Sequence, residues 1–141
     1  MSATSGKFIT LEGGEGTGKT TQISNLHRYL QHKNINCIVT REPGGTDAAE
    51  KIRNLLVQRD GGDWDALSEA LLLFAARRDH LVKKIWPALK KGTWVISDRY
   101  VDSSRVYQGM ALNLGEAVVE GLNFMVAQDF EPDLTFVLDI D

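Results

Sequence analysis

Cysteine is almost missing from this chain of 141 residues: Cys37 stands alone, which excludes an intrachain disulfide and fits a reducing compartment. Cys37 sits in an apolar, strand-like run, where packing is its ordinary role. Prolines number three, and no proline-rich or low-complexity tract marks a linker or second domain. The small polar residues Met1 to Lys7 hold no apolar core of a signal peptide, and the longest apolar run, Ala70 to Ala76, is far too short to span a membrane. Positive charge is not in excess either. A net charge of −3 argues against a broad basic face for nucleic acid and confines any anion recognition to a local site. What remains, 43% hydrophobic and 25% charged residues, suits one globular domain over residues 1–141, with a soluble and cytoplasmic setting.

The richest segment is Gly13-Gly14-Glu15-Gly16-Thr17-Gly18-Lys19-Thr20, which fills G-x-x-x-x-G-K-[ST] immediately after the apolar stretch Phe8 to Leu11. Glycines there let successive backbone N–H groups turn inward around an anion, and a following helix adds the positive end of its dipole. The natural ligand is a nucleotide polyphosphate. Lys19 reaches the β- and γ-phosphates, and the Thr20 hydroxyl ligates Mg²⁺.

Short apolar runs alternate with helical patterns, as in βαβ units around a parallel sheet. The expected strands are 7–12, 36–40, 93–97 and 134–138. Ile23, Leu26 and Leu30 carry a first helix to about Lys33, and Ala48, Ile52, Leu55 and Leu56 mark a second. A third, longer helix is expected from about Ala66 to Lys91, with Leu67, Leu71, Phe74, Arg78, Leu81 and Ile85 on one stripe. Pro87 interrupts its last turns and Gly92 suits its exit. The segment 61–65 reads as a loop, and Leu114, Val118, Leu122 and Met125 predict a helix over 114–128. With every strand parallel, ligands gather at the strands' carboxyl ends.

Trp94 to Ser97 form an apolar strand that delivers the Asp98 carboxylate at its end, suited to a metal beside a P-loop or to the incoming phosphate. Arg99 next to it could hold a substrate phosphate through a bidentate fork, or the two could be a surface ion pair. Phe74 and Arg78, four apart on a helix, set an aromatic face beside a guanidinium and could receive a flat base. Equally, Phe74 is core and Arg78 a solvated charge. Ser104 and Gln108 repeat the spacing. Arg41, in the glycine-rich loop 41–46, and Arg53 on the next helix are phosphate or base contacts in one reading and solvent-facing in the other. His27, His32 and His80 form no metal-ligand pair. No N-K-x-D-like guanine-reading motif accompanies the P-loop, which disfavours a GTPase switch.

The ordered set 13–21, Thr40-Arg41-Glu42-Pro43-Gly44-Gly45-Thr46, Leu73-Phe74-Ala75-Ala76-Arg77-Arg78, and Asp98-Arg99-Tyr100-Val101-Asp102-Ser103-Ser104 with Tyr107-Gln108-Gly109 resembles bacterial thymidylate kinase over nearly the whole chain. The resemblance implies a P-loop NTPase-type α/β three-layer sandwich with a parallel sheet, and transfer of the γ-phosphoryl group of ATP to dTMP with Mg²⁺ by a homodimer. It implies that Gly13, Gly14, Glu15, Gly16, Thr17, Gly18, Lys19, Thr20 and Thr21 bind ATP, with Lys19, Asp98 and Arg99 serving catalysis and Thr20 and Asp98 the metal. For dTMP it implies Phe74 stacked on thymine, Arg78, Ser104 and Gln108 at the base, Arg53 lining the site, Arg99 on the phosphate and Glu15 near the sugar 3′-hydroxyl.

Three departures accompany the resemblance. Gly16 stands where some members carry a basic residue, and members without it draw catalytic arginines from a mobile lid after the fourth strand. The chain ends at Asp141, where that lid would begin, so the lid, the fifth strand and the closing helix are expected to be absent. Arg105 replaces a residue usually small or apolar. Two rival readings stay open, another small P-loop kinase and a non-catalytic nucleotide-binding fragment.

Overall fold

The computed structural model describes residues 5–58 and 60–139. Its elements run β1 (Phe8–Glu12), α1 (Lys19–His32), β2 (Cys37–Arg41), α2 (Asp47–Val57), α3 (Ala66–His80), a π-turn (Leu81–Ile85), α4 (Trp86–Lys90), β3 (Trp94–Asp98), α5 (Val101–Ser104), a second π segment (Arg105–Ala111), α6 (Glu116–Ala127) and β4 (Leu134–Val137). The chain divides into two compact units, one of Met1–Glu42, Ile85–Tyr100 and Glu131–Asp141, the other of Pro43–Lys84 and Val101–Phe130. Among the described residues no helix is long and apolar enough to cross a membrane.

The first unit is a four-stranded sheet in the order β2-β3-β1-β4, parallel throughout as predicted. The observed strands lie within a residue of their predicted bounds. Each is a short apolar run, and the central strands β1 and β3 are the well-covered ones while β2 and β4 keep exposed residues. Central β1 is buried over its whole length. On one face Ile9, Leu11 and Ile96 form a core with Ile23 and Leu30 of α1. Alternation along the strand turns Phe8, Thr10, Val95 and Ser97 to the other face, where Phe8 meets the edge of the Tyr100 ring at 5.0 Å between centroids. Asp133 fastens the entry to β4, its carboxylate accepting the Phe8 N–H at 2.7 Å. Cys37 packs beneath α1, and burial pushes its thiol up to about 11, in keeping with a packing role.

The helices depart from expectation in two places. The long helix predicted over 66–91 is three pieces, because Pro87 has no N–H to offer the Lys83 carbonyl and the preceding turn widens to a π-turn. Gly92, at φ +85°, ends the last piece as anticipated. The buried face of α3 is Ala70, Phe74 and Arg77, while Leu67 and Leu71 of the predicted stripe are 46% and 50% exposed. Residues 70–76 are apolar all round, so spacing alone could not choose a face.

The same holds for α6, which is shorter than predicted. It buries Val119, Asn123 and Ala127 and leaves Val118 and Met125 exposed. Start signals are clearer: the Thr46 hydroxyl caps α2 by accepting the Ala49 N–H at 3.1 Å, and Asp65 caps α3 through the Ser68 N–H at 2.7 Å.

Candidate active site

In the first unit the loop between β1 and α1 folds as its glycines predict. Gly16 and Gly18 take left-handed φ of +78° and +83°, a conformation in which a side chain is strained. Gly18 is the residue from which α1 starts, so the free N–H groups of that helix's first turn open onto the loop. Thr17 braces the loop by donating to the Gly14 carbonyl at 2.7 Å. Glu15, Thr20 and Thr21 are exposed.

Lys19 is buried, with its ammonium 2.8 Å from Asp98 Oδ1 and 3.2 Å from the Gly13 carbonyl to which it donates. The β1–β3 register puts Asp98 beside Leu11, so the carboxylate arrives where the loop begins. Asp98 Oδ1 receives no aligned hydrogen bond, and the contact with Lys19 is an ion pair. The arrangement gathers an ammonium, a carboxylate and a rank of backbone donors at the start of the loop.

Thr20 and Asp98 carry the hard oxygen donors that could hold a metal ion here. No cluster of three or more His, Cys, Asp or Glu side chains among the described residues could hold a metal ion. A hydroxyl and a carboxylate are donors of the kind Mg²⁺ takes, an ion that keeps several waters and draws further ligands from substrate phosphates.

Arg99 follows Asp98 at φ +74° and is half-buried. Two polar residues around it went unread in the sequence. Glu12 Oε1 accepts the Tyr100 N–H at 2.7 Å, and Ser97 Oγ donates to the Arg99 carbonyl at 2.7 Å. The signal was present, since an acid or serine inside an apolar, doubly covered strand needs a reason to be there.

The second unit holds the other predicted residues. Phe74 is 2% exposed and its ring lies under Arg77, whose guanidinium carbon is 4.8 Å from the ring centroid. Sequence spacing had paired it with Arg78 instead. Arg78 is exposed and donates to the Val126 carbonyl at 2.8 Å, in the last turn of α6. Ser104 and Gln108 are both buried, and the Gln108 amide donates to Glu69 Oε1 on α3 at 3.2 Å. Arg53 donates to the Pro43 carbonyl at 2.8 Å, while Glu50 Oε1 accepts the Gly45 N–H at 2.9 Å, so α2 pins the glycine-rich loop at two points. Arg41 ends β2 exposed.

Arg105 donates to Asp102 Oδ1 at 2.7 Å and, through both Nε and Nη2, to the two carboxylate oxygens of Glu120 at 2.5 and 3.3 Å. That fork ties the π segment carrying Gln108 to α6. The hydrogen bond from Arg105 holds the Glu120 carboxyl below its usual range, and the bond to Glu120 raises the guanidinium in turn.

A sequence profile described as thymidylate kinase matches residues 11–141. The chain belongs to the thymidylate kinase family. It is 53% identical over 135 residues to the thymidylate kinase of Marinomonas sp. (strain MWYL1), covering 96% of this chain and 64% of the relative. With the thymidylate kinase of Vesicomyosocius okutanii it shares 51% over 135 residues, covering 96% and 66%. The crystal structure of thymidylate kinase from Ehrlichia chaffeensis superposes with a TM-score of 0.87 at 44% identity, covering 97% of this chain and 78% of that one. At 44% identity that likeness carries the P-loop α/β fold with the family. The chain thus spans a little under two thirds of the length of these curated relatives.

Proposed function

We propose that the protein transfers the γ-phosphoryl group of ATP to the phosphate of dTMP, yielding dTDP and ADP. The observation that carries this reading is the Lys19–Asp98 pair at 2.8 Å beside the P-loop, in a chain of the thymidylate kinase family. Gly13 to Thr21 cradle the ATP phosphates with their N–H groups, and Lys19 carries positive charge to the β- and γ-phosphates. Thr20 and Asp98 hold Mg²⁺, which when bound neutralises charge on the transferring group. Phosphoryl transfer asks little covalent work of the protein, so these groups act by positioning and electrostatic stabilisation.

On the acceptor side, Arg99 binds the dTMP phosphate, Phe74 faces thymine, Arg78, Ser104 and Gln108 surround the base, Arg53 lines the site and Glu15 meets the sugar 3′-hydroxyl. Burial of Phe74, Ser104 and Gln108 supports a preorganised base site, in which the Gln108 amide is held in one geometry by its bond to Glu69. In this reading residues 1–141 form a single nucleoside-monophosphate-kinase-like domain. Exposed apolar side chains on α3 and α6, Leu67, Leu71, Phe124 and Met125 among them, support a homodimer. The lone, half-buried thiol and the modest negative charge support a cytoplasmic protein with no nucleic-acid partner.

Thermal unfolding with nucleotides tests the reading. Stabilisation follows ligand concentration over Kd, so dTMP should raise the melting temperature more than equal concentrations of dCMP or dGMP. Equal shifts for all three would favour a generic nucleotide-binding fragment. A larger shift with another nucleotide would favour a different small P-loop kinase.

A further inference from the structure

Four non-glycine residues among those described have positive φ: Asn34, Arg99, Asn113 and Gln128. Asparagine tolerates that region, and Gln128 caps the end of α6, but Arg99 directly follows a buried strand. A strained residue persists only where its surroundings over-determine it. Three hydrogen bonds do so here. The Arg99 N–H donates to the Leu11 carbonyl at 2.9 Å, Ser97 Oγ donates to the Arg99 carbonyl at 2.7 Å, and the next N–H, that of Tyr100, donates to Glu12 Oε1 at 2.7 Å. The two side chains involved are committed to the interior, with Ser97 0% and Glu12 6% exposed. Beyond the turn the fully buried Tyr100 anchors the chain against Phe8.

An extended strand would send the side chains of residues 98 and 99 to opposite faces of the sheet. A left-handed residue breaks that alternation and frees Arg99 to serve the same end of the sheet as Asp98. We propose that Ser97 and Glu12 are positioning residues that lock Arg99 in its left-handed conformation, so that its guanidinium meets the phosphate of the acceptor nucleotide. The inference rests on the proposed reading that Arg99 binds this phosphate. Glu12 acts as a hydrogen-bond acceptor for the Tyr100 backbone N–H.

Calorimetric titration of the full chain with dTMP and with thymidine, which lacks the phosphate, separates this role from general structural support. Ser97→Ala and Glu12→Ala should each weaken dTMP about tenfold, the worth of one hydrogen bond, and leave thymidine binding unchanged. Glu12→Gln should restore dTMP affinity, because its amide oxygen still accepts the Tyr100 N–H. Ser97→Ala removes a single oxygen from a closed core, so it decides the matter if Glu12→Ala fails to fold. A preference for dTMP over thymidine that Ser97→Ala leaves undiminished, or an equal loss for both ligands, overturns the inference alone. A Glu12→Gln variant as weak as Glu12→Ala overturns the acceptor role of Glu12. Wild-type protein that binds dTMP no better than thymidine removes the reading of Arg99 and the inference with it.

Discussion

The Lys19 ammonium pairs with Asp98 Oδ1 at 2.8 Å, across the start of the P-loop, while also donating to the Gly13 carbonyl. The lysine that would meet the β- and γ-phosphates is therefore already shared with a carboxylate. A triphosphate brought in without a metal must compete with that carboxylate for the ammonium and is repelled by it, whereas Mg²⁺ would neutralise the conflict.

Asp98→Asn is thus expected to tighten binding of a fluorescent ATP analogue in EDTA by about tenfold, since removing one charge at this separation is worth a kcal/mol or more near a protein surface. The same variant should lose most of the gain that Mg²⁺ gives the wild type. Lys19→Ala should weaken binding under both conditions. Weaker binding by Asp98→Asn in EDTA would show that the carboxylate does not oppose the phosphates.

The Arg105 fork to Glu120 predicts a pH-dependent contribution to stability. Glu120 is held below its usual range, so its contribution is full above the ordinary glutamate range and is lost as pH falls through the lowered value. Its side chain is 42% exposed, which limits the pair to about 0.5–1 kcal/mol. Urea denaturation should show Glu120→Gln less stable than wild type by that amount at pH 7, with the gap closing at strongly acid pH. A gap that persists in acid would assign the effect to packing, not to the ion pair.

Legibility in the sequence followed the range of the interactions. The P-loop is local, so its glycines, Lys19 and Thr20 could be read from spacing, and Asp98 from its place at the end of an apolar strand. The strands were readable because a doubly covered parallel sheet writes itself as short apolar runs. The faces of α3 and α6 were not, since residues 70–76 of α3 and most of α6 are apolar on every side and tertiary packing selects Phe74 with Arg77, and Val119 with Asn123. Ser97 and Glu12 escaped for another reason: their partners are backbone groups after a left-handed turn, and no spacing rule announces a positive φ at an arginine.

A last expectation concerns β4, which pairs with β1 on one side and forms the outer edge of the sheet among the described residues. Leu134, Phe136 and Val137 are 49%, 41% and 70% exposed. Phe136 and Leu138 also line an apolar groove of about 300 Å³ with Leu11 and Leu26. Unpaired strand groups beside apolar side chains template pairing with another chain, and a lysine on the edge is a natural block. The 141-residue chain should therefore form species larger than a dimer as its concentration rises, and Val137→Lys should suppress them. Since Val137 is mostly exposed, that change should alter unfolding stability by no more than about 0.5 kcal/mol. Light scattering after size exclusion, run across a concentration series, distinguishes the outcomes. Wild-type protein that never exceeds a dimer, or a lysine variant that associates as strongly, would show that the β4 edge is not the adhesive surface.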